Sequence, residues 1–200
     1  MNPVHRMILV AGLSRAGKST LADQLATYHD VSHLPLDRYF LPTPDGVRFL
    51  DFVQSPDAID WSLLQEHLAI LCDGKPCYSP VIDPWVTGLR LSAGGTEAHP
   101  KAMLMQPAST IVLPGCLAFH FAAPGALRVF VDTPLAVIAA RLEGRPVAAG
   151  DVEATLIAHL TDNYHAILAE KRKADVVADG ERTASARKAE IRTLLDMAAK

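Results

Sequence analysis

Apolar positions along this chain follow two patterns in turn, and their alternation predicts the architecture. Met7 to Ala11 and the runs TIVLPG (110–115), LRVFVDT (127–133) and ADVVADG (174–180) are short and rich in apolar residues, as in strands buried on both faces of a parallel sheet. A shorter piece, Ser32 to Leu36, makes a fifth strand. Between these runs the apolar spacing becomes helical. Leu21, Ala22, Leu25 and Ala26 form one stripe behind Lys18, and Leu63, Leu64, Leu68 and Leu71 form a second. Leu135 to Leu142, then 152–169 with Leu156, Ile157, Leu160, Tyr164 and Leu168, and finally Ala184 to Ala199 continue the series. Asp60 stands where an N-cap belongs, Gly74 where a helix stops, and Pro134 at a first helical turn. Strands alternating with helices over the whole length predict an α/β fold, an open parallel sheet flanked by helices.

The punctuation refines this picture. Pro42, Pro44, Gly46 and Pro56 make 41–60 a loop, and the prolines and Gly94-Gly95 of 75–108 predict a hairpin or flap beside the main sheet. EGRPVAAGD interrupts the helical pattern after Leu142. With 200 residues, half of them apolar, the chain reads as one folding unit, 1–200.

Charge and cysteine content exclude several classes. A formal charge of −3 with no dense Lys/Arg stripe gives no footprint for nucleic acid. Apolar runs fall far short of the roughly 20 residues that span a bilayer, so no membrane partner is expected. Cys72, Cys77 and Cys116 match no zinc or redox spacing, and the first apolar run passes directly into a glycine loop without a cleavage site. A cytoplasmic protein is expected; a homo-oligomer is left open.

That glycine loop carries the chemistry. Gly12-Leu13-Ser14-Arg15-Ala16-Gly17-Lys18-Ser19 matches G-x4-G-K-[ST], a P-loop, with Thr20 after it, a buried strand before it and a helix behind it. Glycines let successive N–H groups converge on phosphate oxygens, and the helix adds its positive end at the same point. Lys18 then reaches the β and γ phosphates, and the Ser19 hydroxyl suits Mg²⁺. The expected ligand is a nucleoside triphosphate, ATP, as its magnesium complex. The modest length and the lack of an N-K-x-D guanine reader favour a small-molecule kinase over a motor or switch. Such an enzyme needs an acceptor for the proton of the attacking hydroxyl, and Asp37, at the carboxyl end of the second expected strand, is the candidate. Tyr39 and Phe40 beside it are expected to wall a substrate.

Together, GLSRAGKST, LDRYF, SPDAIDWSLL, DGKPCYSPVID, TIVLPGCLAF, VFVDT and KRKADVV resemble, in order, the landmarks of the uridine kinase-like family of P-loop kinases, with phosphoribulokinase and bacterial pantothenate kinase as relatives. The likeness runs from 7 to about 180. It implies a P-loop NTPase fold, a five-stranded parallel sheet with a substrate hairpin (75–108) and a short lid (143–152), and transfer of the γ-phosphoryl group of Mg-ATP to a hydroxyl of a nucleoside or similar small molecule. By matching positions it implies Asp37 as catalytic aspartate, Phe40 in the nucleoside site, and Arg141 with Arg145 on the transferring phosphoryl group; with Pro114 where the family has a glutamate supporting the magnesium shell, Asp37 is expected to hold a Mg²⁺ water directly. It places Asp83 in the substrate hairpin, with Trp85 nearby.

The chain also departs from that pattern. Pro114 replaces a glutamate at the end of the strand beside the P-loop, Ile82 replaces a hairpin tyrosine, Gln54 stands where an acidic ribose contact is expected with Asp51 close by, and Ile138 stands in for an arginine. Two alternatives therefore accompany the kinase reading: a nucleotide-binding regulator without acceptor activity, and a kinase of a vitamin precursor or sugar.

Overall fold

The computed structural model describes residues 6–28, 30–47, 49–80, 102–143, 166–183 and 186–198. Its centre is a five-stranded, all-parallel sheet built from β1 (Arg6–Ala11), β2 (Val31–His33), β5 (Thr110–Pro114), β6 (Leu127–Asp132) and β7 (Val176–Asp179), in the order β2-β5-β1-β6-β7. Helices α1 (Lys18–Ala26), α2 (Trp61–Cys72), α3 (Leu135–Glu143) and α4 (Arg187–Ala198) follow, with a further helical segment at 166–170. This is the expected α/β architecture.

The pleat explains why the strand runs are apolar throughout. In β1, Leu9 and Ala11 pack into one core, and Ile8 and Val10 into a second on the opposite face. Strand β5 divides the same way, with Ile111 and Leu113 against Val112. A polar residue on either face of these strands would lose its water without gaining a partner.

Local signals account for most boundaries. The Asp60 carboxylate accepts from the Leu63 N–H at 2.9 Å and opens α2. Gly74, at φ 76°, closes it: the Gly74 and Lys75 N–H groups return to Leu71 and Ile70 carbonyls at 3.0 and 3.1 Å. Trp61, on the first turn, donates to the Pro56 carbonyl at 2.8 Å and stacks on Phe121, which pins the preceding Ser55–Asp60 stretch to the core.

Several expectations need correction. The second strand ends at His33 instead of Leu36; 36–39 forms a 3₁₀ turn after Pro35, so Asp37 sits on that turn and not on the strand. The 41–60 region is not all loop, since Phe49–Phe52 makes one helical turn and Pro56–Ala58 a 3₁₀ turn. The last helix starts at Arg187, not Ala184. In the 75–108 region, β3 (Cys77–Tyr78) pairs antiparallel with β4 (Leu104–Met105), while 81–101 lies outside the described residues, as do 144–165.

Pro114 lies within the sheet without cost to the ladder. The Gly115 N–H donates to the Val10 carbonyl, so the nitrogen of Pro114 faces the β2 side, and β2 has ended at His33, opposite Val112.

Candidate functional site

The P-loop lies at the carboxyl end of β1, between the ends of β5 and β6. Its two glycines serve different needs. Gly12, at φ 145°, runs so close to β6 that a Cβ would stand 2.5 Å from the Val131 carbonyl oxygen. Gly17, at φ 104°, meets no atom closer than 3.6 Å; there the left-handed conformation requires glycine. Arg15 also has positive φ, 62°, which a non-glycine residue adopts only under constraint from its surroundings.

That constraint is visible in the hydrogen bonds. Three side chains take three carbonyls of the loop: Lys18 Nζ donates to Leu13 O at 2.8 Å, Arg141 NH1 to Arg15 O at 3.0 Å, and Thr133 Oγ1 to Ala16 O at 2.8 Å. The loop leads into α1, whose first intrahelical bond runs from the Leu21 N–H to Gly17 O, so the N–H groups at the helix start have no intrahelical partner. Lys18 is 9% exposed and its second contact is Cys116 Sγ at 3.3 Å. A buried ammonium whose hydrogen bonds go to a carbonyl and a sulfur, and not to a carboxylate, creates a strong demand for an anion.

Arg141 joins the loop to the end of the sheet by a second bond, NH2 to Gly180 O at 2.9 Å. The structure thus brings Lys18, Arg141 and the whole Gly12–Thr20 segment together, with Ser19 and Thr20 exposed at the helix N-terminus.

Asp37 approaches from the β5 side. Its turn is seated by Gly115, where a Cβ would fall 2.6 Å from Leu36 Cβ. Because residues three apart eclipse in a 3₁₀ turn, Leu36 and Tyr39 both point into the core, each 1% exposed, and Asp37 is exposed. Tyr39 and Phe40 are both buried. The Tyr39 hydroxyl hydrogen-bonds His67 Nδ1 at 2.9 Å, and Phe40 is 7% exposed and bridges to Ile59. Burial raises the Tyr39 phenol far above its ordinary range, and burial also lowers His67.

Asp83, Trp85 and Arg145 lie outside the described residues. Among the described residues no group of three or more His, Cys, Asp or Glu side chains could hold a metal by itself. Ser19 and Asp37, both exposed, carry oxygen atoms of the hard type that magnesium takes.

Sequence reasoning passed over Thr133, Gly180 and Cys116. The first two stand at the carboxyl ends of β6 and β7, where ligand crevices form in parallel sheets. That signal becomes usable only once β6 is known to neighbour β1.

Comparison with known proteins agrees with this geometry. No family model matches the chain. A uridine kinase of Chloroflexus aggregans is 32% identical over 143 residues, 66% of this chain and 62% of that protein. Over that stretch the chain is similar to a uridine kinase. A second uridine kinase, from Chloroflexus aurantiacus, is 31% identical over 138 residues, 64% of this chain and 61% of its own length. The chain thus matches less than two thirds of the length of these curated relatives. Among solved structures, a "putative fructose transport system kinase" from Silicibacter sp. TM1040 superposes with a TM-score of 0.56 at 21% identity, covering 88% of this chain and 90% of that one. At that identity the likeness speaks to the fold alone, a parallel α/β sheet flanked by helices.

Proposed function

We propose that the chain is an ATP-dependent small-molecule kinase that transfers the γ-phosphoryl group to a hydroxyl of a nucleoside or a similarly compact acceptor. The observation that carries this reading is Lys18: an ammonium buried at a helix N-terminus, beside a loop three of whose carbonyls are held by side-chain donors, suits an anion of triphosphate type. Kinship with uridine kinases selects phosphoryl transfer to a small molecule among the uses of such a site.

In this reading the Gly17–Thr20 amides and Lys18 bind the β and γ phosphates, and Arg141 holds the loop in shape and adds positive charge beside it. Asp37 orients the acceptor hydroxyl and takes its proton as that oxygen bonds to the γ-phosphorus and the bond from phosphorus to the β,γ-bridging oxygen breaks, leaving ADP. Ser19 and Asp37 would hold Mg²⁺, which supplies neutralisation of charge on the phosphates. Arg145, Asp83 and Trp85 belong to the proposed acceptor and lid contacts.

The test is ADP formation from Mg-ATP in the presence of nucleosides, pantothenate, nicotinamide riboside and sugars. Acceptor-stimulated ADP supports the proposal and names the acceptor class. Lys18→Ala is expected to lower turnover by about 10²-fold or more. Asp37→Asn is expected to lower it by about 10²–10⁴-fold with ATP affinity retained. ATP binding with no stimulation by any acceptor would point instead to a nucleotide-binding regulator.

A further inference from the structure

The end of β7 is packed against the P-loop more tightly than strand pairing requires. A Cβ on Gly180 would stand 1.8 Å from Thr133 Oγ1, 2.4 Å from Ala16 O and 3.1 Å from Asp132 O. Gly180 thus lies directly over the hydrogen bond from the Thr133 hydroxyl to the Ala16 carbonyl. Its own N–H donates to Asp132 O at 2.7 Å, and its carbonyl takes Arg141. Gly180 is outside the left-handed region, so close approach explains the glycine and backbone freedom does not. Thr133 is 4% exposed and Ala16 fully buried, so this hydrogen bond is shielded from bulk solvent.

We infer that Thr133 is a positioning residue for the phosphate site: it acts through the Ala16–Gly17 peptide, with Gly180 as the surface that holds its hydroxyl in line. The reasoning is geometric. A trans peptide is planar and directs its C=O and N–H oppositely. Fixing Ala16 O toward Thr133 therefore aims the Gly17 N–H away from β6 and into the loop, where anion oxygens would sit. Without the hydroxyl a buried carbonyl is left unsatisfied, and the peptide gains by rotating toward another donor. That rotation carries the Gly17 N–H off its target. Arg141 and Lys18 restrain the neighbouring carbonyls but not this one.

This inference rests on the reading of the loop as a triphosphate site, and the experiment separates the two. Calorimetry with ATP, and steady-state kinetics with whichever acceptor supports turnover, are run on the unaltered chain and on Thr133→Val and Thr133→Ser. Thr133→Val, nearly isosteric, is expected to raise the ATP Kd and KM about tenfold with the acceptor KM unchanged; Thr133→Ser, which keeps the hydroxyl, is expected to stay within about twofold of the parent. Thr133→Ser is expected to melt close to the parent and Thr133→Val below it, since one buried carbonyl loses its donor; a purely structural role would lower the melting temperature and leave ATP affinity at the parental value. Should Thr133→Val not fold, Thr133→Ala carries the same expectation. Normal ATP binding by the parent together with parental ATP affinity in the hydroxyl-free variant overturns the role of Thr133 alone. Failure of the parent to bind ATP overturns the triphosphate reading and this inference with it.

Discussion

Gly115→Ala tests how the position of Asp37 is set. The new Cβ would lie 2.6 Å from Leu36 Cβ, 2.7 Å from Cδ2 and 3.1 Å from Cγ. Ordinary carbon contacts lie at about 3.5–4.0 Å, so the overlap with two atoms approaches 1 Å. Rotating the Leu36 side chain cannot relieve it, because Cβ is fixed to the backbone and Leu36 is 1% exposed in the core. Either the end of β5 or the 36–39 turn has to move. Overpacking of this kind costs about 1–3 kcal/mol. Taking about 2 kcal/mol, and about 2–4 °C per kcal/mol for a domain of this size, Tm is expected to fall by about 4–8 °C. If Asp37 is carried along by about 1 Å, turnover is expected to fall about 10²-fold. ATP affinity should hold, since the P-loop is anchored from β6 and β7. Thermal melts, calorimetry with ATP and the ADP assay read the three quantities. Gly125→Ala is the control: at φ 76° with no atom within 4 Å, it bears only a conformational cost, about 1 kcal/mol. A Gly115→Ala protein as stable and as active as its parent would refute the packing argument.

Two further outcomes follow from buried titratable groups. Burial lowers both His33 and His67 in the folded chain, against a weaker opposing pull from Asp23 on His33 and from Glu66 on His67. The unfolded chain therefore binds more protons as the solution is acidified, so stability is present above about pH 6.5 and is lost as pH falls through the lowered folded values. Urea midpoints should drop between about pH 7.5 and 5.5, and the drop should shrink when both histidines are replaced by asparagine; an unchanged slope would count against the assignment. Arg187 is 2% exposed, donates NH2 to Asp179 O at 2.9 Å, and has no hydrogen-bond partner for Nε or NH1 among the described residues. Replacing such a charge with a well-packed apolar residue is often neutral or stabilising, so Arg187→Met should melt at or above the parent. A marked loss in the same melts would mean that the guanidinium has an anionic partner in solution.

The strand–loop–helix unit around Lys18 was legible because three signals agree there: apolar run, glycine spacing and amphipathic stripe. Helix α2 was legible through Asp60 and Gly74, whose caps form as their residue types dictate. The inward turn of Tyr39 was not legible, for a definite reason. Beyond His33 the period changes from two to three, which turns Leu36 and Tyr39 inward together, and an aromatic next to a candidate base looks the same in sequence whichever way it points. Thr133 and Gly180 were invisible for a different reason. Their roles depend on the β2-β5-β1-β6-β7 order, and pattern along the chain carries no information about which strand lies beside which.

That order also constrains how the protein can come into being. The strand leading into the P-loop is made well before both of its hydrogen-bonded neighbours: Arg6 pairs with Thr110, and Ala11 with Phe130. A nascent chain emerging from the ribosome can coil its first helix but has nothing to hold the preceding strand until the second half arrives. Long-range parallel pairing of this kind is slow to form. Until residues 110–130 have been made, the Met-Ile-Leu-Val segment of β1 has no strand to cover it, and a fragment that stops short of them would leave it open to chaperones or proteases.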